Sequence, residues 1–464
     1  MGVLRHHRNP VRCRSRPHRH RLSQGTLTWT RFLKMVRRQC FRYSTRERGP
    51  SAFSCSPSSS PSSSRNFSST SWPAPADRPG RPTVNAYHPH IVLAPDKFKG
   101  TLTADQVASA MALGCRDAGL ENRCITMPVA DGGDGSVGTA LRTGWSRREI
   151  RCTDAWGQPI ITTVAISNTQ ALIEIAAICG LRGWRPSSAQ ALVATSRGVG
   201  EVITRLLDLG FRDITLALGG SATTDGGAGM LVALGAQLRD RTGTPIAPNA
   251  LGLQDLSSVC TDGLDPRLKT TTLTVACDVD APLTGPRGAA ATFGPQKGAD
   301  EQGVHTLTAA LDQLAAVAGP AFGRPDEHLR PGAGAAGGLA WAGLLLGAHM
   351  RRGAELFLDM LGASETIEGA ALVLTGEGCM DDQSALGKAP FAVAALASEL
   401  SVPSAAIVGT NRLNDHGLNS PFTAVIALDS MDPLCSSDPT LSARLIRQAT
   451  AALVHQVQRE LAIL

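Results

Sequence analysis

The sequence predicts an α/β protein with more than one domain. Three observations carry that reading. The chain has 464 residues, more than one average domain needs. Short apolar runs of strand length alternate with stretches of helical spacing. Four of the runs end in loops of Gly, Asp, Ser and Lys, and open α/β sheets bind ligands beyond the carboxyl ends of their strands.

The elements follow in order. Residues 91–94 (IVLA) form a buried strand that stops at Pro95 and Asp96. Thr103 and Gln106 form a capping box, and Val107, Ala110 and Met111 continue at helical spacing to Gly114. Residues 171–175 (ALIEI) read as extended. Val199, Val202, Ile203, Leu206 and Leu207 stripe a helix that ends at Gly210. Residues 214–218, 273–276 and 371–374 are strands running into Gly219-Gly220-Ser221, Cys277-Asp278 and Thr375-Gly376-Glu377. Residues 405–408 and 424–428 add two more. Residues 150–170 and 319–338 carry the turn residues of domain crossings.

Composition narrows the class. A 42% hydrophobic content can fill real cores, and no run of 18 apolar residues suggests a membrane span. Eleven scattered cysteines are not a disulfide framework. The net charge of +6 is a sum of opposites: residues 1–90 hold 17 basic and 2 acidic residues, the remainder 28 and 37. The folded part is therefore acidic and offers no basic face for nucleic acid. No membrane partner is expected either.

Residues 1–88 read as a disordered basic leader. They are rich in Arg, Ser and Pro, and their first acid is Glu47. This is the composition of an organelle transit peptide, with Arg65-Asn66-Phe67-Ser68 resembling a mitochondrial processing site. The expectation is import into the mitochondrial matrix or another organelle, with a cytoplasmic protein as the alternative. Both tyrosines, Tyr43 and Tyr87, lie in this leader, so the folded part has no tyrosyl group for catalysis.

Five loops carry the chemistry. Asp96, Lys97 and Lys99 flank the first strand end, with ammonium groups suited to phosphate. Asp131 and Asp134 alternate with glycines that allow close backbone approach. Gly219, Gly220, Ser221, Thr223 and Asp225 follow a strand directly, as an anion nest would. Asp278 ends another strand. Glu377, Asp381, Ser384 and Lys388 make a fifth set, suited to a magnesium nucleotide. Gly332, Gly334 and Gly337 match a dinucleotide fingerprint but follow no strand. There is no P-loop and no nucleophile elbow, and the histidines of the folded part are scattered. Asp, Ser, Thr, Lys and Gly together suit phosphoryl transfer. An oxidoreductase or a non-enzymatic binding protein for a related hydroxy acid is the competing reading.

At these residues the chain resembles the bacterial-type glycerate kinase family. The matching motifs are IVLAPDKFKG (91–100), PVADGGDG (128–135), LGGSATTDGGAGM (218–230), VACDVDAPLTGPRGAAATFGPQKGA (275–299), PGAGAAGGL (331–339) and TGEGCMDDQSALGKAP (375–390). The resemblance implies two α/β domains, a Rossmann-like or flavodoxin-like one over 89–150 and 366–464 and a second inserted over 151–365. It implies Mg²⁺-dependent transfer from ATP to D-glycerate, usually giving 2-phosphoglycerate, with 3-phosphoglycerate the alternative product. The assembly state is left open, a homodimer among the options. Family members usually carry a small residue where Lys97 stands, often Asn at Thr224 and commonly Gly at Asp382.

Roles follow as expectations. Asp225, Asp131 or Asp278 orients the glycerate hydroxyl, Asp225 first because glycines surround it. Lys99, Lys297 and Arg287 attract phosphate or carboxylate. Gly219, Gly220, Ser221, Thr223, Gly334, Gly376, Glu377, Ser384 and Lys388 face the nucleotide. Asp96 and Asp381 hold Mg²⁺.

Overall fold

A computed structural model describes residues 90–181, 183, 185–382, 384–413 and 420–462. The expected leader over 1–88 lies outside the described residues. In chain order the strands are β1 (Ile91–Leu93), β2 (Cys124–Thr126), β3 (Ser146–Thr153), β4 (Pro159–Ser167), β5 (Gln170–Glu174), β6 (Asp213–Ala217), β7 (Gln237–Arg239), β8 (Ser258–Cys260), β9 (Thr272–Ala276), β10 (His349–Arg351), β11 (Leu372–Thr375), β12 (Cys379–Met380), β13 (Ser404–Val408), β14 (Thr410–Asn411) and β15 (Ala424–Ala427). The helices that matter below are α1 (Ala104–Asp117), α2 (Ser136–Arg142), α3 (Arg197–Asp208), α4 (Ala228–Ala233), α5 (Glu301–Ala321), α6 (Leu339–Leu345), α7 (Gly353–Leu361), α8 (Ala389–Glu399) and α9 (Pro439–Ala462).

Two sheets organise the chain. The first has five strands in the order β15-β13-β11-β1-β2, all parallel. The second has six in the order β10-β9-β6-β5-β4-β3. Its β3, β4 and β5 pair antiparallel and the rest parallel. Strands of the first sheet come from the two ends of the described chain, and every strand of the second lies between them. The expected two α/β units are therefore present, one interrupted by the other. The crossing comes before residue 151: β3 starts at Ser146, and Val137 and Ala140 of α2 already pack with Leu172 and Ala217 of the second sheet. On the return, β10 ends at Arg351.

Strand alternation explains the layers. Ile91 and Leu93 point to one side of β1, with Met111 of α1 and Leu445 and Val454 of α9. Val92 points to the other, with Val373, Val393 of α8 and Leu358 of α7. Covering helices on both faces are what a parallel sheet needs. The expected capping box is made: Thr103 Oγ1 accepts from the Gln106 N–H, and Gln106 Oε1 from the Thr103 N–H. Helices α1 and α9 cross closely because residue 114 is glycine. A Cβ there would lie 2.6 Å from Thr450 Cβ.

Helix α7 is shared between the sheets. Ala354 and Leu358 enter the core under β1 and β11, while Leu356 and Phe357 enter the core under β5, β6 and β9. Fully burying one such large apolar side chain contributes about 1.5–3 kcal/mol. The helix thus fixes the two sheets against each other with their strand-end loops facing.

Candidate active site

Strand-end loops of both sheets converge. The Asp96 N–H donates to the Gly376 carbonyl at 2.8 Å, joining the loops after β1 and β11. The Gly219 N–H donates to the Gly132 carbonyl at 3.0 Å, joining the loop after β6 to the loop after β2. A Cβ on Gly219 would collide with the Gly133 Cα, so the backbones touch because residue 219 is glycine. The Gly353 N–H donates to Asp278 Oδ1 at 2.8 Å and the Ala354 N–H to Oδ2 at 3.1 Å, fastening the loop after β9 to the start of α7.

Lys97 is at the centre. Its Nζ lies 2.9 Å from Asp131 Oδ1 and 3.4 Å from Asp96 Oδ1. Asp96 Oδ1 also accepts the Lys97 N–H at 2.7 Å, and Asp131 Oδ1 the Gly133 N–H at 3.0 Å. Burial alone would lower the Lys97 pKa, but Asp131 and Asp96 outweigh it and hold the ammonium charged. Burial likewise raises Asp131, and Lys97 with the Gly133 N–H brings it below the usual carboxylate range. Its side chain keeps a quarter of its surface exposed. Asp96 is pushed up to about 7, by burial first and the Asp131 charge second.

Two more carboxyls ring this pair. Asp278 is pushed up to about 7 by burial and by Asp131, against its two backbone N–H donors and Arg352. Glu377 is also pushed to about 7 by burial, against Ser384 and Lys388, and its Oε1 is buried with no partner. Asp381 is farther out. Burial raises it, but Lys388 at 3.6 Å and the Ser384 N–H and hydroxyl bring it below its ordinary range. Arg352, which the sequence reading did not single out, pairs with Asp280 at 3.4 Å. Its guanidinium also lies beside Gly387, in the loop that leads to α8.

The loop after β6 is different. Asp225 is fully buried. Its Oδ2 accepts the Ser196 N–H at 2.7 Å, the Ser196 hydroxyl at 2.8 Å and the Gly229 N–H at 3.1 Å. Its Oδ1 accepts the Gly227 N–H at 3.1 Å. Burial raises its pKa, and these donors offset part of the rise. Sequence reasoning put Asp225 first among the hydroxyl-facing acids; the fold turns it into the protein interior. Lys297 is buried too, and donates to Ser221 Oγ at 3.0 Å and the Thr223 carbonyl at 2.6 Å. Burial pulls its pKa down to about 8. Lys297 therefore braces the loop through the Ser221 hydroxyl oxygen and the Thr223 carbonyl, while the Thr223 hydroxyl is buried with no partner.

The remaining expectations divide. Gly219 and Gly220 lie at the seam, Gly220 with φ +75° and a Cβ position that would lie 2.7 Å from Asp134 Oδ1 and 3.0 Å from Ala176 Cβ. Gly376 packs under the Ile407 carbonyl. Gly334 sits against the Pro282 carbonyl, and the Gly226 N–H donates to the Gly337 carbonyl at 2.9 Å, so the 332–338 glycines support the 219–229 loop from behind. Lys99 and Arg287 are exposed. The lysine signal in DKFK was real, but Lys97 and not Lys99 turns inward. Lys99 lies in the tight turn between Phe98 and Leu102, where the Phe98 N–H donates to the Leu102 carbonyl at 2.8 Å, and that turn keeps it in solvent.

A protein-only Mg²⁺ cage does not fit. Among the described residues no group of three or more His, Cys, Asp or Glu is arranged to hold a metal ion. Asp96 and Asp381, the expected pair, lie in separate clusters, each facing a lysine. Mg²⁺ commonly binds through one or two carboxylates plus substrate phosphates. The unpartnered Oε1 of Glu377 fits that mode.

Comparison with known proteins places the chain in a family. The family model described as the Glycerate kinase family matches residues 91–458. The chain is 39% identical over 351 residues to the glycerate 2-kinase of Escherichia coli K12, covering 74% of this chain and 92% of that one. It is 39% identical over 346 residues to a glycerate kinase of Bacillus subtilis 168, covering 72% and 90%. A crystal structure of a Salmonella typhimurium LT2 chain assigned as a glycerate kinase 2 superposes with a TM-score of 0.67 at 35% identity, over 80% of this chain and 99% of that one. A match that spans both sheets and all five strand-end loops means that the chain belongs to the glycerate kinase family.

Proposed function

We propose that this kinase transfers the γ-phosphoryl group of ATP to a hydroxyl of D-glycerate, giving 2-phospho-D-glycerate. The observation that carries the reading is Asp131. Its Oδ1 is held by Lys97 and the Gly133 N–H, while the side chain remains partly open among Asp96, Asp278 and Glu377. The glycerate hydroxyl donates to Asp131, and its oxygen bonds to the γ-phosphorus as the bond to ADP breaks. The hydroxyl proton leaves late, to Asp131, because the transition state is loose. Asp131 serves first to aim the hydroxyl and second to take the proton.

The other groups bind and neutralise. Lys388 and Arg352 flank the 376–388 loop from opposite sheets and supply positive charge for phosphate oxygens. Glu377 would hold Mg²⁺ arriving with the nucleotide. The ion, when bound, neutralises developing charge on the phosphate oxygens. The name of the E. coli relative, a glycerate 2-kinase, supports the 2-position.

The test uses the full chain with Mg-ATP and D-glycerate, following ADP release and assigning the product by ³¹P NMR. Glycerate-dependent ADP formation with phosphorus on the 2-position is expected. ADP formation that ignores glycerate sinks the reading; a 3-phosphorylated product sinks only the position. We propose further that residues 1–88 direct import into an organelle, the mitochondrial matrix first, from their arginine-rich, acid-poor composition. A reporter carrying these residues that stays wholly cytosolic would overturn that part.

A further inference from the structure

Lys97 places one ammonium between two carboxylates at the point where the strand-end loops meet. Its Nζ is 2.9 Å from Asp131 Oδ1 and 3.4 Å from Asp96 Oδ1. The two oxygens thus converge on one point from adjacent strand ends, β1 and β2. Converging carboxylate oxygens in a half-buried loop are what a small divalent cation takes. Here the point is filled by a side chain of the chain itself. Lys97 is four-fifths buried and Asp96 almost wholly so, which leaves little room for both cations.

We propose that Lys97 is the resident cation of the Asp96–Asp131 pair: it excludes divalent metal from that pair and holds Asp131 in place to receive the acceptor hydroxyl. Lys97 is then a positioning residue for the transfer, and the divalent ion enters only with the nucleotide, on the Glu377 side. This deepens the function proposed above and rests on it for the role of Asp131. The exclusion of metal does not depend on that role.

Mn²⁺ binding to the full chain, without nucleotide or glycerate, reads the claim directly by electron paramagnetic resonance of the free ion. Lys97→Ala is expected to bind Mn²⁺ at least about tenfold more tightly than the unaltered chain, because a repelling charge leaves a converging carboxylate pair. Lys97→Arg, which keeps the charge, is expected to show no such gain. Adding Asp131→Asn to Lys97→Ala is expected to abolish it. Thermal unfolding of each variant reports whether it folds. If Lys97→Ala does not fold, Asp131→Asn alone decides. With Lys97 in place it is expected to leave Mn²⁺ affinity unchanged, and a loss of affinity would mean that the pair holds metal already. Equal affinity in the unaltered chain and folded Lys97→Ala would also overturn the proposal. Failure to phosphorylate glycerate, with these binding results intact, would overturn the function and leave the resident cation standing.

Discussion

Two glycine- and aspartate-rich loops of this protein share a composition and differ in saturation. The loop after β2 holds Asp131 with one oxygen bonded and a quarter of the side chain exposed. The loop after β6 holds Asp225 with both oxygens bonded, four close donors around it and no exposure. A carboxylate whose acceptor sites are all used by the protein fixes a backbone; one with an acceptor left over can hold a substrate proton. The same contrast separates Lys97, which faces the cleft carboxylates, from Lys297, which braces Ser221 and Thr223.

The largest expected effect tests the open member. Asp131→Asn should lower turnover by roughly 10²–10⁴, the usual weight of a positioned acid or base, with little change in unfolding midpoint. Steady-state kinetics beside a denaturant titration checks both halves. Near-normal turnover would remove the distinction between the loops.

Asp225→Asn should do the reverse. An amide offers one acceptor oxygen to donors that now use two, and turns a donor toward N–H groups. Unfolding free energy should fall by about 2–4 kcal/mol, while the folded fraction keeps most of its turnover. Lost turnover at unchanged stability would return Asp225 to the transfer step.

A smaller effect concerns pH. Glu377 titrates at about 7 in the folded protein against an ordinary 4.5. A raised carboxyl pKa means that the native state binds more protons than the unfolded state between those values. This group's contribution to stability is therefore lost as pH rises from 4.5 to about 7. Asp96 and Asp278, raised from 3.8 to about 7, act in the same sense. Asp131 and Asp381, which are lowered, act oppositely, below the ordinary carboxylate range. Glu377→Gln should flatten the fall in melting temperature between about pH 5 and pH 7. An unchanged slope would mean that Glu377 is already charged at pH 5.

The smallest effects belong to the exposed cations. Lys99→Ala and Arg287→Ala should change stability by less than about 0.5 kcal/mol. Turnover should stay within a factor of about three, since a screened surface charge contributes little. A tenfold loss in either would place that side chain on a ligand and break the inside-outside reading of the DKFK loop.

The sequence by itself determined seven of the strands, β1, β5, β6, β9, β11, β13 and β15, and which loops carry chemistry, but not β2, whose loop holds Asp131. Apolar runs such as 91–94 and 371–374 must be buried, and runs that end in Asp, Gly and Ser leave polar groups at strand ends. The capping box at Thr103 and the stop near Gly210 were legible for the same local reason. Which aspartate faces the cleft was not local. Asp131 and Asp225 both sit among glycines, and only the donors brought by distant chain decide between them: Ser196 saturates Asp225, and Lys97 holds Asp131. Lys97 and Lys99 are separated by the turn from buried Phe98 to Leu102, which carries Lys99 into solvent while Lys97 meets Asp96 and Asp131. Where the second sheet begins was likewise settled by packing, because α2 buries Val137 and Ala140 against β5 and β6 before the strand pattern changes. Hydrogen-bond saturation and burial are sums over partners far apart in the chain, so tertiary structure alone decides them.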